Sequence, residues 1–387
     1  MKKGWETKTL NQISINLDNR RVPITKSVRS CGKFPYYGAS GIVDYVADYI
    51  FDEDTLLISE DGANLLARSS PIAFPASGKY WVNNHAHILK FPSLITQRFV
   101  ELYLESISLD AYITGAAQPK LNQKALNSIP IPYPPLPEQH RIVGILDEAF
   151  AGLATAKATA EKNLHNARAL FESHLQSVFS QRGKGWVETT LEEVLAVQPQ
   201  NGWSPPAANH SASGTPVLTL SSVTGFQFRP DKIKFTSAPT GAHRNYWVKN
   251  GDFLITRSNT PELVGHVAIA AGIETPTIYP DLIMRMTPAE DRMMTEFLYY
   301  QMRSPALRKE ITGRAQGANP TMKKISNGAV KTLPITVPPL SKQKDIVETL
   351  DALSTKTTRL VAIYQQKLAA LEALKKSLLH QAFSGEL

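Results

Sequence analysis

The sequence contains a single cysteine, Cys31, which excludes an internal disulfide and any zinc centre built from several thiolates. No run of about 18 apolar residues occurs, so no segment reads as a membrane-spanning helix. The opening MKKGWETKTL lacks the apolar core of a secretion signal. A soluble cytoplasmic protein with no membrane association is the expectation. Catalytic motifs are equally scarce. There is no Gly-x-x-x-x-Gly-Lys-Ser/Thr loop to cradle the phosphates of ATP. The Asn-Pro-Pro-aromatic or Asp-Pro-Pro-aromatic tetrapeptide of amino-methylating enzymes is missing, since Pro134-Pro135 and Pro338-Pro339 follow Tyr133 and Val337. A metal-dependent nuclease needs carboxylates beside a lysine. Pro230-Asp231 and Pro280-Asp281 are present, but the only Glu-x-Lys, Glu6-Thr7-Lys8, lies upstream of both. Catalysis by this chain alone is not expected.

What the sequence does have is length, apolar content and positive charge. Its 387 residues, 42% hydrophobic, suffice for two domains with real cores. A net charge of +8 and a pI near 9.3 suit a partner that carries phosphates.

The strongest pattern is an internal duplication. Gly4-Trp5-Glu6 with Thr9-Leu10 returns as Gly185-Trp186-Val187 with Thr190-Leu191, offset by 181. Ile129-Pro130-Ile131-Pro132-Tyr133-Pro134-Pro135-Leu136 returns as Leu333-Pro334-Ile335-Thr336-Val337-Pro338-Pro339-Leu340, offset by 204. From there the match runs without a gap: Gln139 with Gln343, Ile142 with Ile346, Leu146 with Leu350, Asp147 with Asp351, Phe179-Ser180 with Phe383-Ser384. The ends of each half therefore share one task, while the unmatched middles perform two different ones.

After each Pro-rich stretch, where fixed φ forbids a helix, apolar residues recur at steps of three and four. The first stripe is Ile142, Leu146, Ala149, Leu153, Ala156, Ala160, Leu164, Ala167, Phe171, Leu175 and Val178. The second is Ile346, Leu350, Leu353, Leu360, Tyr364, Leu368, Leu371, Leu374, Leu378 and Ala382. Both runs lack proline and stop before glycine. A helix over 137–180 spans about 66 Å and cannot bury its stripe alone, so the two helices are expected to pair antiparallel and to bring the chain's ends together. Gly144 and Gly152, with the Ala-rich run Ala149–Ala160, suggest close backbone approach between them.

Gly115-Ala116-Ala117-Gln118-Pro119-Lys120-Leu121-Asn122, Ile129-Pro130-Ile131-Pro132 and Pro134-Pro135-Leu136-Pro137-Glu138-Gln139 resemble the conserved region of Type I restriction–modification specificity subunits. Gly317-Ala318-Asn319-Pro320-Thr321-Met322 and the second Pro-rich stretch resemble it more loosely. Gly4-Trp5 with Thr9-Leu10, Phe34-Pro35-Tyr36-Tyr37-Gly38-Ala39-Ser40-Gly41 and Gly251-Asp252-Phe253-Leu254-Ile255-Thr256-Arg257 also resemble recurring stretches of this family. The resemblance implies an α+β chain with pseudo-twofold symmetry. Two mixed α/β target-recognition domains, 1–136 and 185–340, would be joined by coiled-coil spacer helices, 137–184 and 341–387. It further implies double-stranded DNA as ligand, each domain reading one block of a split site. Two modification (methyltransferase) subunits using S-adenosylmethionine would dock on the helices, and restriction (motor-nuclease) subunits using ATP and Mg²⁺ would complete the assembly in a bacterium or archaeon. The chain itself would hold no cofactor. A free-standing two-domain DNA-binding regulator is the alternative.

Candidate DNA contacts follow from chemistry and loop placement. Arg20, Arg21, Lys26, Arg29 and Lys33 form a basic stretch before Tyr36 and Tyr37, suited to phosphates and sugar stacking. Lys79, Asn83, Asn84 and His85 offer base-edge donors and acceptors. Gln118, Lys120 and Asn122 sit in a polar loop. In the second half, Arg257, Ser258, Asn259 and Thr260 end an apolar strand. Arg314, Gln316, Asn319, Lys323 and Lys324 are the counterpart of the Gln118 loop. His85 and His87, two apart, would share one strand face and with Glu60 or Asp61 would suit a metal. A hydrogen-bonded polar surface is the preferred reading of that cluster. Trp5 and Trp186 are expected to pack each domain onto the helix ends.

Overall fold

A computed structural model describes residues 4–115, 117–181, 183–319 and 321–387, with the side chains of 242–244 left aside. Ala116 and Pro320, within the two loop motifs quoted above, lie outside the described residues. The chain is mixed α and β and divides into two units: residues 1–161 with 365–387, and residues 162–364. The division therefore cuts each long helix part-way along and does not fall at its ends.

The unit formed by residues 1–161 and 365–387 contains a four-stranded antiparallel sheet. Its order is Ile15–Asn16, Ala86–Lys90, Thr55–Ser59, Ala73–Ala76. Thr55–Ser59 reads Thr-Leu-Leu-Ile-Ser and is buried throughout, as an apolar strand covered on both faces must be. A second sheet orders Gly41–Val46, Cys31–Gly38, Lys79–Val82 and Phe51–Asp52. Leu94–Ser106 is a helix opened by the Ser93 hydroxyl, which accepts from Thr96 N.

The unit formed by residues 162–364 repeats the first sheet strand for strand: Leu195–Asn201, Ile283–Pro288, Phe253–Thr256, Val267–Ile269. Its other sheet is different, with the order His210–Ser211, Ile233–Thr236, Thr215–Leu218. Every strand of the shared sheet lies between the duplicated ends, so the unmatched middles build both this common sheet and the sheet that differs.

The matched ends meet one another. Glu6–Thr9 pairs antiparallel with Pro130–Tyr133, and Val187–Thr190 pairs in the same register with Pro334–Val337. Leu10 N donates to Ile129 O, and Leu191 N donates to Leu333 O, both at 3.0 Å. Proline tolerates such two-stranded edges because only alternate N–H groups are needed. Each Pro-rich strand leads into a 45-residue helix, Leu136–Ser180 and Leu340–Ser384. Gln139 and Gln343 are buried at the helix starts, donating Nε2 to Pro134 O at 2.8 Å and Pro338 O at 2.9 Å.

Within each unit the start of one long helix lies beside the end of the other, which makes the pair antiparallel. In the first unit Ile142 and Leu146 share a core with Leu379 and Ala382. There Lys157 also pairs with Glu372 at 2.9 Å. In the second unit Val347 and Leu350 share a core with Phe171, Leu175 and Phe179. Trp5 packs edge-on to Phe99, which meets Phe383; Trp186 packs on Phe179 and Phe297. Each tryptophan therefore ties a domain to the C-terminal end of one long helix. Trp5 and Leu387 pack against one cluster.

Two details depart from expectation. Gly144 and Gly152 face open space, and a Cβ at either would meet nothing within 4 Å. They mark no close approach, because they lie on the solvent side of a helix whose buried face runs through Ile142 and Leu146. Leu360 and Leu374 are 38% and 48% exposed, whereas Thr357 is 5% exposed. Its hydroxyl bonds back to Leu353 O at 2.9 Å, which lets a polar residue hide on a buried face.

Candidate nucleic-acid interface

In both units the central strand of the shared sheet runs out into a loop with the same backbone pairing. In the first unit Glu60 follows strand Thr55–Ser59; its N–H donates to His85 O at 2.9 Å and its C=O accepts from Leu121 N at 2.8 Å. In the second unit Arg257 follows strand Phe253–Thr256; its N–H donates to Leu282 O at 2.8 Å and its C=O accepts from Ile325 N at 2.9 Å. The residue after Leu121 is Asn122, which caps the helix Gln123–Asn127; the residue after Ile325 is Ser326, which caps Asn327–Lys331. Glu60 and Arg257 are structural counterparts.

Around Glu60 the charges are paired. Its carboxylate accepts from Arg21 at 2.5 Å and lies 3.2 Å from Lys120 Nζ. Arg21 also donates to Ala86 O at 2.9 Å. His87, 1% exposed, meets Asp18 through Nδ1 at 2.5 Å and Leu121 O through Nε2 at 2.7 Å. Asp18 accepts in addition from Ile88 N at 2.8 Å. His85 is exposed and pairs with Asp61 at 2.8 Å. Burial raises the Asp18 and Glu60 carboxyls, but the His87 and Arg21 partners outweigh it and hold both below the ordinary carboxylate range.

Around Arg257 the pattern is different. Ser258 is buried and donates to Met322 Sδ at 3.1 Å, and Asn259 Nδ2 donates to Thr224 Oγ1 at 3.3 Å. The pair Ser258–Asn259 is bridged antiparallel to Lys323–Lys324. Lys323 Nζ donates to Gly317 O at 2.8 Å. No acidic side chain among the described residues pairs with Arg257, Lys323 or Lys324.

A model of the type I restriction modification DNA specificity domain matches residues 2–163 and 183–373. The chain belongs to that family. It is 30% identical over 354 residues to a type I restriction enzyme specificity subunit of Haemophilus influenzae, covering 91% of this chain and 88% of the relative. It is 24% identical over 317 residues to the EcoKI specificity subunit of Escherichia coli, covering 78% and 68%. A solved structure from work on complex assembly and conformational transition of the type I R-M system shares the fold. Its TM-score is 0.73 at 18% identity, covering 100% of this chain and 99% of the other. The crystal structure of the HsdS subunit from Thermoanaerobacter tengcongensis matches at TM-score 0.58 and 17% identity, covering 100% and 98%. The fold is that of a specificity subunit.

Within this specificity-family fold, the residues singled out from sequence divide into surface and interior groups. Exposed near Glu60 are Asn84, His85, Gln118, Lys120 and Asn122. Asn122 is occupied as a cap, its Oδ1 accepting from Ala125 N at 2.9 Å. Lys33 and Lys79 are exposed and sit over the rings of Phe34 and Tyr49. Tyr36 is 1% exposed, its hydroxyl accepting from Ile24 N at 3.0 Å, so its ring is core and not a stacking surface. Tyr37 packs on Phe74 and Tyr80. Asn83 is buried, its Oδ1 accepting from His85 N at 2.8 Å to hold the turn. Arg20 bridges to Glu53 and lies over Phe51.

In the second unit Gln316, Asn319 and Lys324 are exposed. Asn319 Oδ1 accepts from Thr321 N at 2.9 Å, and Asn259 Oδ1 accepts from Thr260 N at 2.9 Å. Arg314 is half-buried and already bonded, donating to Thr332 O at 2.8 Å and pairing with Glu310 at 3.2 Å. His85 and His87 do not converge, since one meets Asp61 and the other Asp18. Among the described residues no group of three or more His, Cys, Asp or Glu could hold a metal ion. Sequence reasoning missed Asp18, whose partner His87 lies 69 positions away. No local signal could have found it.

Proposed function

We propose that the chain reads a two-block DNA site, one block per unit, as the non-catalytic recognition subunit of a methyltransferase–nuclease assembly. The observation that carries this reading is the strand end built twice on the same backbone pairing but with opposite side chains, Glu60 in one unit and Arg257 in the other. A shared scaffold with different polar ends suits two readers of different sequence. The positive net charge of +8 supports an anionic duplex as ligand. Exposed Lys120, Gln118, Asn84 and His85 are the proposed contacts of the first unit, and Arg257, Gln316 and Lys324 those of the second. Two modification subunits using S-adenosylmethionine would dock on the long helices, and restriction subunits using ATP and Mg²⁺ would join them. This chain holds none of these cofactors in that scheme. No observation favours a free-standing regulator.

Co-expression with a type I modification subunit tests the reading. Adenine methylation mapped across the host genome is expected to fall on one two-block motif, and the purified chain to co-elute with the modification subunit. A chain that stays alone, with methylation unchanged from the host background, overturns it.

A further inference from the structure

We infer that Arg257 is the specificity-determining residue of the second unit and reads a guanine; this rests on the proposed division of one DNA block per unit. Arg257 is half-buried, and its Nε is shut off from water with no hydrogen-bond partner. Among the described residues its side chain makes no hydrogen bond, ion pair or ring contact. A guanidinium cannot shed its charge. A donor withdrawn from water without an acceptor is costly, so such a group in a native fold calls for an explanation.

The rest of the strand end explains why the missing acceptor should come from outside. Both backbone groups of Arg257 are bonded, to Leu282 and Ile325, so the residue is fixed in place. The neighbouring Ser258 and Asn259 side chains are occupied by Met322 and Thr224. At the counterpart position in the first unit the side chain is Glu60, held by Arg21 and Lys120. Among the described residues the second unit has the guanidinium with no carboxylate paired to it. It also has Met284 where the first unit has His87, since Ile58 pairs with His87 and Ile255 pairs with Met284. The planar fork of arginine presents two parallel N–H donors, which match guanine O6 and N7 in the major groove. A phosphate would also accept from arginine, but exposed Lys324 flanks the site and is better placed for the backbone, being free to follow it.

The test uses the full complex of this chain with its modification subunit. In the Arg257→Ala complex, methylation mapping is expected to show one G·C pair of one block become unconstrained while the other block is unchanged. Competition binding with duplexes altered at that pair should show a 10- to 100-fold preference for guanine in the parent and none in the variant. The salt dependence should stay the same. Arg257→Lys, which keeps the charge but loses the fork, should keep binding and lose most of that preference; it also serves if the alanine variant fails to fold. Uniform weakening across all duplexes, with the salt slope reduced by about one, would mean a phosphate contact and overturn the inference. So would an unchanged motif. If the parent complex writes no two-block motif, it is the division of labour between units that fails, and not the assignment of Arg257.

Discussion

The strand end at Glu60 and the strand end at Arg257 have the same backbone and opposite electrostatics. In the first, acids and bases are bonded to one another: Asp18 to His87, Glu60 to Arg21 and Lys120, Asp61 to His85. In the second, Arg257, Lys323 and Lys324 stand together with no acid among the described residues paired to them. One scaffold therefore carries either a network whose acids and bases bond one another or a set of basic side chains with no acid among the described residues paired to them. A recognition surface is defined less by which polar residues a loop contains than by which of them the fold has already bonded.

The comparison breaks most visibly if the two ends respond alike to losing their key residue. Asp18→Ala leaves the buried His87 Nδ1 and the Ile88 N–H without their acceptor and is expected to cost about 3–5 kcal/mol. Arg257→Met removes a guanidinium that has no partner among the described residues and should leave the second unit no less stable, raising its stability by up to about 1–3 kcal/mol. Hydrogen exchange in strands Ala86–Lys90 and Phe253–Thr256 reads each unit separately. Equal losses in both would erase the distinction.

Acid should separate the units next. In the second unit His266 stacks on Phe226 at 4.1 Å and accepts from Gly225 N at 2.9 Å. Burial, with Arg308 and Arg303 nearby, pushes its imidazole down from 6.5 to about 4. Between those values the unfolded chain binds the proton that the folded one refuses, so this unit loses stability as pH falls from 6.5 towards 4, by at most about 3 kcal/mol. The Asp18 and Glu60 carboxyls are instead depressed below their ordinary 3.8 and 4.5. Their contribution is complete above those values and is lost only as pH falls through the lower ones. Exchange at pH 5, corrected for intrinsic rates, should find the second unit loosened and the first intact, and His266→Phe should flatten the difference.

The smallest effect compares the two long helices. Gly144 and Gly152 interrupt the first, while Glu348 and Lys356 occupy the matching places in the second. Since a Cβ meets nothing at either glycine, Gly144→Ala and Gly152→Ala should each raise stability by up to about 1 kcal/mol, read as a higher Tm. A lower Tm would mean that the glycines serve an approach this structure does not contain.

Much of the scaffold was legible in advance. The three–four spacing over 137–180 and 341–387 names the helices, which run Leu136–Ser180 and Leu340–Ser384, and Gln139 with Gln343 stand at matching places in the duplication. The spacing passes over buried Thr357, because a hydroxyl that bonds its own helix looks polar in sequence yet hides on a buried face. The equivalence of Glu60 and Arg257 was hidden by insertions that change the offset within the repeat. Tyr36 and Asn83 look like surface chemistry in sequence, yet both are interior.

The duplication, the paired rods and the basic character were determined by the sequence itself, because periodicity, proline placement and charge are properties of neighbouring residues. Tertiary structure alone decided which charged groups are bonded to one another within the fold. Asp18 finds His87, and Glu60 finds Arg21 and Lys120, only when segments tens of residues apart are laid side by side. The strength of each such pair depends on distance and on the exclusion of water, which the fold sets and a linear string does not contain.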